Sequence, residues 1–405
     1  MDLSFRRMRP EEFERFASVV EAAFSSLATP EAIENERRVA ELDRMVVSTD
    51  GDEIVGGASA YSLRLSVPGG DIACGGVTGV GVLPTHRRRG ANTGMMRMVL
   101  EDVRERGEPI AALHASQGAI YGRFGFGLAS LRAEIDLETR ASAFVRGYVP
   151  AGSVRLAERS DALDAIVAVS AASRAARPGA PETDPRWVEY RLEDHHDPAD
   201  RVEPFFLLHR TDGIDDAYAW YRVRQEWPDG IPSYKLEVLD LQAMTPQAYA
   251  ETWRAVLDVD LVARVTSWNR PVDEPLLHLL VEPRALRLGV RDGLWLRLLD
   301  IPAALEARAY AAHGEVVVEV EDRFCPWNGG RYRLEVSGGR GSCTRTDSDP
   351  DLAASVNVLG AAYLGGTTFR QSARGLQVRE LRPGALAEVD AMFAWDPAPW
   401  CPFMF

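Results

Sequence analysis

A chain of 405 residues is too long for one ordinary hydrophobic core, so we expect two or three domains. Its composition, 46% hydrophobic and 26% charged residues, is typical of folded globular protein and excludes intrinsic disorder. A formal net charge of −14 argues against general nucleic-acid binding, which needs a broad cationic face, and agrees with cationic partners.

Targeting and metal-binding signals are weak. The basic residues near the amino terminus precede no apolar core, and no stretch approaches the ~20 apolar residues of a membrane span, so we expect neither a signal peptide nor a span. The four cysteines are scattered, which is typical of reduced thiols. His195 and His196 adjoin two aspartates, but neighbouring side chains in one loop seldom converge, so we favour a solvated loop and expect no metal. These observations predict a cytoplasmic protein.

Residues 1–135 alternate helical and strand-like patterns. Phe13, Phe16, Val20 and Phe24 have helical spacing. Two strand-like stretches follow, IVGGASAYSLRLSV and DIACGGVTGVGVLP, joined by a Pro-Gly-Gly turn signal. The next segments predict an amphipathic helix, ANTGMMRMVLEDVRERGE, and a short strand, IAALHAS. The order strand, loop, helix, strand implies a crossover, so the sheet is predicted to be partly parallel.

Residues 136–285 repeat this order without its chemistry. The segment KLEVLDLQAMTPQAYAETWRAVLDVDLVARVTSW is again strand, loop, helix and strand, but its loop has no glycine or arginine. We interpret 136–285 as a degenerate copy of the first domain, although an unrelated α/β domain would explain the order equally well.

Residues 286–405 form the predicted third domain, with an α+β pattern. A strand and a helix are predicted in LWLRLLDIPAALEARAY, and an antiparallel pair in EVVVEVED and RYRLEV. Two further helices are predicted in DLAASVNVLGAAYLGG and PGALAEVDAMF. The chain ends in the aromatic tail MFAWDPAPWCPFMF, which would expose much apolar area if it were loose. The tail is therefore expected either to pack into a groove of the protein or to form an oligomer contact.

The stretch TGVGVLPTHRRRGANTGM has the features of a pyrophosphate site. A strand ends at Val82, Pro84 stops its pairing, and Gly90 lets the chain turn into a helix. The first amides of that helix lack intrahelical partners, and the arginines add charged donors. The stretch does not match a P-loop, which needs Gly-Lys followed by Ser or Thr, nor a dinucleotide-binding fingerprint, which needs glycine where Pro84 lies. An anion cradle is predicted, with a solvated basic turn as the alternative.

The same stretch, in VGVLPTHRRRGAN, resembles the coenzyme A-binding motif of the GNAT acetyltransferase superfamily, V-x-P-x-x-R/Q-R-x-G-x-G/A. Asn92 departs from the usual final glycine or alanine. The resemblance implies that this strand splays from its neighbour and pairs with pantetheine, and that the amides of residues 88–93 bind the pyrophosphate. The residues it assigns to acetyl-CoA are Val80, Gly81, Val82, Arg87, Arg88, Arg89, Gly90, Ala91, Asn92 and Thr93.

A second segment, HASQGAIYGRFGFG, resembles the GNAT segment in which a helix carrying a tyrosine follows a strand. With the three-part chain and the aromatic terminus, the whole is similar to the enhanced intracellular survival (Eis) acetyltransferases of actinobacteria. That resemblance implies Tyr121 as general acid and the terminal carboxylate of Phe405 as general base. Ser116 and Gln117 are candidates for contacts with pantetheine. The alternative is that they are ordinary polar residues of a loop.

The Eis resemblance also implies the organisation and the assembly. It gives a catalytic GNAT domain at 1–135, a degenerate GNAT-like domain at 136–285 and a sterol-carrier-like domain at 286–405 that ends in the catalytic terminus. The expected fold class is α/β with tandem GNAT folds, and the expected assembly is a homo-hexamer.

The predicted function is an acetyl-CoA-dependent N-acetyltransferase that acts by direct transfer in a ternary complex. The expected acceptors are primary amines of small cationic substrates, aminoglycoside-like or lysine amines. Two alternatives stay open. HASQG resembles a nucleophile elbow, with His114 where glycine is usual, so Ser116 could serve a serine hydrolase. The chain could also be a lipid- or acyl-CoA-binding protein with a vestigial GNAT site.

Overall fold

The computed structural model describes residues 3–145, 147–193 and 202–405. The strands, in chain order, are β1 (Ser4–Arg7), β2 (Val46–Asp50), β3 (Glu53–Val67), β4 (Gly70–Val82), β5 (Ile110–His114), β6 (Gly127–Leu128), β7 (Leu131–Glu138), β8 (Ser153–Ala157), β9 (Phe205–Thr211), β10 (Ile214–Arg224), β11 (Tyr234–Ala243), β12 (Val262–Arg270), β13 (Arg287–Asp292), β14 (Leu294–Leu298), β15 (Gly314–Glu321), β16 (Gly330–Ser337), β17 (Arg340–Arg345), β18 (Leu352–Ser355) and β19 (Val378–Glu380). The α-helices are α1 (Phe13–Ala23), α2 (Pro30–Arg37), α3 (Ala91–Glu105), α4 (Gly118–Tyr121), α5 (Arg159–Ala176), α6 (Pro185–Glu193), α7 (Pro246–Leu257), α8 (Leu276–Leu279), α9 (Ile301–Ala307), α10 (Val356–Ala362), α11 (Phe369–Arg374) and α12 (Ala385–Phe393).

The chain divides into two compact units. The first contains residues 3–130, 293–399 and 404–405 of the described part, and the second contains Leu131–Asp292 and Trp400–Phe403. The domain limits at 135/136 and 285/286 stay predictions.

The first unit contains a seven-stranded mixed sheet in the order β1-β2-β3-β4-β5-β14-β6. β4 and β5 pair in parallel, which confirms the predicted crossover through α3. Val46 and Val47 on β2 belong to different core clusters, because successive strand residues face opposite sides of a sheet. The Val47 cluster includes side chains of α1, and the Val46 cluster includes side chains of α3, so each face of this sheet is covered by a helix.

The second unit repeats this arrangement in a sheet ordered β13-β7-β12-β11-β10-β9-β8. β11 and β12 are its parallel pair, joined through α7, as the sequence predicts. In both sheets the second strand of the parallel pair has a neighbour that is distant in sequence. β14 pairs with β5 in the first sheet, and β7 pairs with β12 in the second. The predicted fold class, α/β with partly parallel sheets in tandem, is confirmed.

A third sheet, β17-β16-β15-β18-β19, forms the carboxy-terminal part of the first unit together with α9 to α12. The antiparallel pair predicted at β15 and β16 is confirmed. The helix predicted over DLAASVNVLGAAYLGG was wrong in its first residues. Leu352–Ser355 is a strand, because it pairs in parallel with β15 and antiparallel with β19, and the helix begins at Val356. An apolar cavity behind this sheet has a volume of about 10 Å³, which is room for one water.

The aromatic tail packs on the protein rather than projecting from it. Trp400, Cys401 and Phe403 are buried, and their contacts within the second unit are given below. All four cysteines are free and buried, as the scattered spacing predicts. Among the described residues, no helix is long and apolar enough to cross a membrane.

Candidate active site

The first feature of the site is a gap between two strands. β4 pairs with β5 only from Cys74 to Gly76, opposite Ile110 to Ala112. Beyond Gly76, β4 continues to Val82 but pairs only with β3 on its other side. A bulge at residues 79–80 interrupts that pairing, because Thr78 faces Ser59 whereas Gly81 faces Gly57. The edge of β4 that includes Val80 and Val82 is therefore available to an extended ligand, as the sequence predicts for pantetheine.

The second feature is the start of α3, which follows this strand. Gly90 is the N-cap residue, with φ of +87°, a left-handed conformation that glycine adopts without strain. Within the described part of the chain, no hydrogen bond occupies the backbone amides of Gly90 to Thr93. The corresponding helix of the second unit, α7, differs, because the Thr245 side chain accepts a hydrogen bond from the amide of Ala248. The N-terminal amides of α3 are therefore more available to an anion than those of α7.

The three arginines of the loop have different surroundings. Arg87 donates to the carbonyl oxygens of Ala23 at 2.8 Å and Val82 at 3.5 Å, so it braces the loop against the end of α1. Arg89 forms an ion pair with Asp50 at 3.1 Å and lowers the pKa of that carboxyl group. Arg88 is exposed, has φ of +64°, and forms no hydrogen bond or ion pair with another described residue. Of the three guanidinium groups, that of Arg88 is the one most available to a ligand.

Tyr121 lies at the end of α4, in the segment after β5. Its side chain is 5% exposed and packs edge-on against Phe126, with the ring centroids 6.3 Å apart. Burial raises the pKa of Tyr121 above its ordinary value, and a hydrogen bond with Ser116 acts in the opposite direction. The phenol is therefore protonated at neutral pH, the state that a general acid requires.

Phe405 lies at the point where β4 and β5 diverge. Its ring packs edge-on against His114, the last residue of β5, with the ring centroids 5.3 Å apart. On the other strand, a Cβ added to Gly76 would lie 2.4 Å from the Leu63 side chain and 3.1 Å from the ring of Phe405, so the glycine leaves room for both side chains. Phe405 thus lies between Gly76, the last residue of β4 that pairs with β5, and His114 at the end of β5.

The structure adds two side chains that the sequence analysis did not identify. Asn357 on α10 donates to the carbonyl oxygens of Gly122 at 2.8 Å and Phe126 at 2.9 Å. Arg297 on β14 is buried, donates to the carbonyl oxygen of Phe124 and pairs with Asp322. Both hold the loop that follows Tyr121. Neither carried a motif, and each lies more than 170 residues along the chain from that loop.

The remaining candidates occupy the same neighbourhood. Ser116 and Gln117 are exposed in the turn between β5 and α4. Asn92, in the first turn of α3, has a buried side-chain oxygen that accepts no hydrogen bond from the described residues. His195 and His196, which are expected to lie in a solvated loop, are outside the described residues.

Comparisons with known proteins agree with this geometry. Residues 4–129 and 179–298 each match a family model described as an acetyltransferase (GNAT) domain. Residues 301–402 match a sterol carrier protein domain.

Relatives match over most or all of the chain. An uncharacterised N-acetyltransferase of Streptomyces avermitilis is 41% identical over the full length of both chains. The N-acetyltransferase Eis of Mycobacterium tuberculosis is 36% identical over 93% of this chain and 92% of its own. Among solved structures, the crystal structure of Eis1 from Mycobacterium abscessus covers all of both chains, with 35% identity and a TM-score of 0.87.

Proposed function

Because the chain belongs to the Eis family of GNAT N-acetyltransferases, we propose that it transfers the acetyl group of acetyl-CoA directly to primary amines of cationic substrates in a ternary complex. The position of Phe405 at the divergence of β4 and β5 is the observation that carries this proposal. It brings a carboxylate-bearing residue to the gap that would hold the thioester end of the coenzyme.

The residues around the gap fit acetyl-CoA. The free edge of β4 at Val80, Gly81 and Val82 can pair with the amides of pantetheine. The amides of residues 88–93 and the guanidinium of Arg88 can bind the pyrophosphate, because a helix N-terminus and a charged donor both favour an anion. Arg87 and Arg89 hold the loop in shape through Ala23 and Asp50, and Ser116 and Gln117 border the far end of the gap. When bound, acetyl-CoA supplies the thioester that the amine attacks.

The acid and base roles follow from the chemistry of two groups, the Tyr121 hydroxyl and the terminal carboxylate. An ammonium substrate must lose a proton before its nitrogen can attack, and the α-carboxylate of Phe405 accepts that proton, directly or through a water. The departing sulfur needs a proton, and the Tyr121 hydroxyl donates it. Because burial raises the pKa of Tyr121, its hydroxyl keeps the proton at neutral pH and can donate it as the carbon–sulfur bond breaks.

Cationic acceptors are supported by charge. A carboxylate at the gap and a net charge of −14 both favour an ammonium group. We therefore propose aminoglycoside-like or lysine amines as acceptors, and, from the family, a three-domain organisation and a homo-hexameric assembly in the cytoplasm.

The proposal is tested by incubating the purified protein with acetyl-CoA and a panel of amines, with free thiol release and product mass as readouts. Turnover on polyamines with at least two amino groups is expected, and turnover by no amine would overturn the proposal. Deleting Phe405 should lower kcat while acetyl-CoA binding is kept.

Thermal stabilisation separates acetyl transfer from lipid carriage. Acetyl-CoA should raise Tm, because a ligand that binds the folded state stabilises it. A fatty acid should not, since the cavity behind the third sheet has room for only one water.

A further inference from the structure

The second sheet also has a parallel pair whose strands diverge. β11 and β12 pair from Tyr234 to Glu237 and from Val262 to Thr266, and beyond this they no longer pair with each other. In the first sheet the corresponding gap is the proposed coenzyme slot. In the second it is filled by the chain itself.

Arg270, the last residue of β12, spans this gap. Its guanidinium donates to the carbonyl oxygen of Leu241 on β11 at 2.7 Å, so this acceptor is occupied by the chain itself. Its Nε donates to Glu274 at 2.8 Å, and both side chains are buried. With Thr245 capping α7, the second sheet has one strand acceptor, at Leu241, and one helix amide, at Ala248, already occupied by its own side chains.

The tail is seated on the same strand end. The Asn269 side chain accepts a hydrogen bond from the indole nitrogen of Trp400 at 3.0 Å and donates to the carbonyl oxygen of Cys401 at 3.1 Å. The Trp400 ring lies 5.6 Å from the Arg270 guanidinium, which is a cation–π distance. The Trp400 amide donates to the carbonyl oxygen of Pro178 at 2.9 Å.

Phe403 gives the tail a second fixed point. Its ring is 2% exposed and lies 5.7 Å from the Trp187 ring and 4.7 Å from the Arg191 guanidinium. Met404 is exposed, and Phe405 follows at once. Phe405 is therefore only two residues beyond Phe403, and a chain end so close to a fixed point can move by only about 7 Å.

We propose that the vacated coenzyme gap of the second sheet serves as a socket for the tail, and that Asn269 and Arg270 are positioning residues for the Phe405 carboxylate. This inference rests on the proposed function, in which that carboxylate is the base. Asn269 does not touch the substrate. It acts by fixing Trp400 and Cys401, so that the carboxylate stays within reach of the amine.

The test combines Asn269→Leu with deletion of Phe405 in a double-mutant cycle. We expect Asn269→Leu alone to lower kcat about 10- to 100-fold, as a misplacement of about 1 Å does, with the KM for acetyl-CoA unchanged. In the protein lacking Phe405, the same substitution should cause no further loss, because the terminal carboxylate is then on Met404 and no longer at the gap. Carboxypeptidase should also release the terminal residues of Asn269→Leu faster than those of the parent protein.

Two further variants keep the test interpretable. Trp400→Phe removes the indole donor but keeps a ring beside Arg270. It should lower kcat in the same way but by a smaller factor, and it replaces Asn269→Leu in the test where that variant folds poorly. Asn328→Leu is the matched control, because Asn328 is buried and its side chain donates to Leu298 at 3.0 Å and Asp322 at 3.3 Å, neither of them in the tail. It should leave the release of the tail by carboxypeptidase unchanged.

The outcomes separate the two proposals. Normal turnover without Phe405 would overturn the base role and this inference with it. Loss of turnover without Phe405, together with normal kcat in both Asn269→Leu and Trp400→Phe, would overturn the positioning role alone. An equal loss from Asn269→Leu with and without Phe405 would show a general effect on folding and would also overturn it.

Discussion

Replacing Tyr121 by phenylalanine removes the proposed proton donor while keeping the ring. The side chain is 5% exposed and packs against Phe126, contacts that phenylalanine preserves. The loss to stability is limited to the hydrogen bond with Ser116, an exposed residue that can bond to water instead. We therefore expect the free energy of unfolding to fall by less than about 1 kcal/mol.

The loss to catalysis should be far larger. A positioned general acid contributes about 100- to 10,000-fold, so Tyr121→Phe should lower kcat by a factor in that range, about 3–5 kcal/mol in activation free energy. The KM and the Kd for acetyl-CoA should stay close to those of the parent protein, since the hydroxyl acts on the leaving sulfur and not on the bound coenzyme.

The pH dependence provides an independent readout of the same group. Tyr121 must be protonated to act, and burial raises its pKa, so activity should persist to a pH above the ordinary tyrosine pKa of about 10 before it falls. The variant should lack this alkaline limb. Steady-state kinetics from pH 6 to about pH 11.5 measure kcat, KM and the alkaline limb, and calorimetry measures the Kd for acetyl-CoA. A kcat within threefold of the parent value, at unchanged stability, would refute the assignment.

Three other outcomes follow from the geometry. Arg88→Ala should weaken acetyl-CoA binding about 5- to 30-fold by calorimetry without lowering Tm, because Arg88 forms no bond within the described chain, and a lower Tm would contradict this. Arg308→Met should lower the free energy of unfolding by about 3 kcal/mol in urea titrations, since the buried guanidinium donates to the carbonyl oxygens that end α10 and α12, and an unchanged midpoint would contradict it. Thiol labelling followed by mass spectrometry at pH 8 should leave three cysteines unmodified in the native protein, because burial raises their pKa to about 12; they are Cys325, Cys343 and Cys401.

The sequence predicts those parts of the site that depend on local order. The strand ending at Val82, the glycine turn and helix α3 lie within about thirty consecutive residues, and their period and turn chemistry are visible without a structure. The same holds for the crossover that makes β4 and β5 parallel, because a helix between two strands leaves few other arrangements.

The functions of individual side chains in that stretch are not visible locally. The sequence predicts Arg87 and Arg89 as two further phosphate ligands. In the structure Arg87 donates to the carbonyl oxygen of Ala23, 64 residues away, and Arg89 donates to the carboxylate of Asp50, 39 residues away. Asn357 contacts the Tyr121 loop from 235 residues along the chain, with no pattern around it. Leu352–Ser355 has a helical composition, but its pairing with β15 and β19 overrides that preference. Each of these features depends on which distant segments come into contact in the fold, and hydrophobic periodicity does not predict such contacts.

The strand order of the first sheet has a consequence for synthesis of the protein. β5 and β6 are bridged by β14, so the sheet cannot close until Leu298 has left the ribosome, more than 160 residues after β6. Tyr121 lies on the segment between β5 and β6, and Arg297, which holds the loop after it, is on β14 itself. A nascent chain or a gene fragment that stops after the first GNAT match would therefore contain the proposed coenzyme loop but not the strand that holds the loop after Tyr121. If Tyr121 is the acid, such a fragment should bind acetyl-CoA better than it transfers the acetyl group.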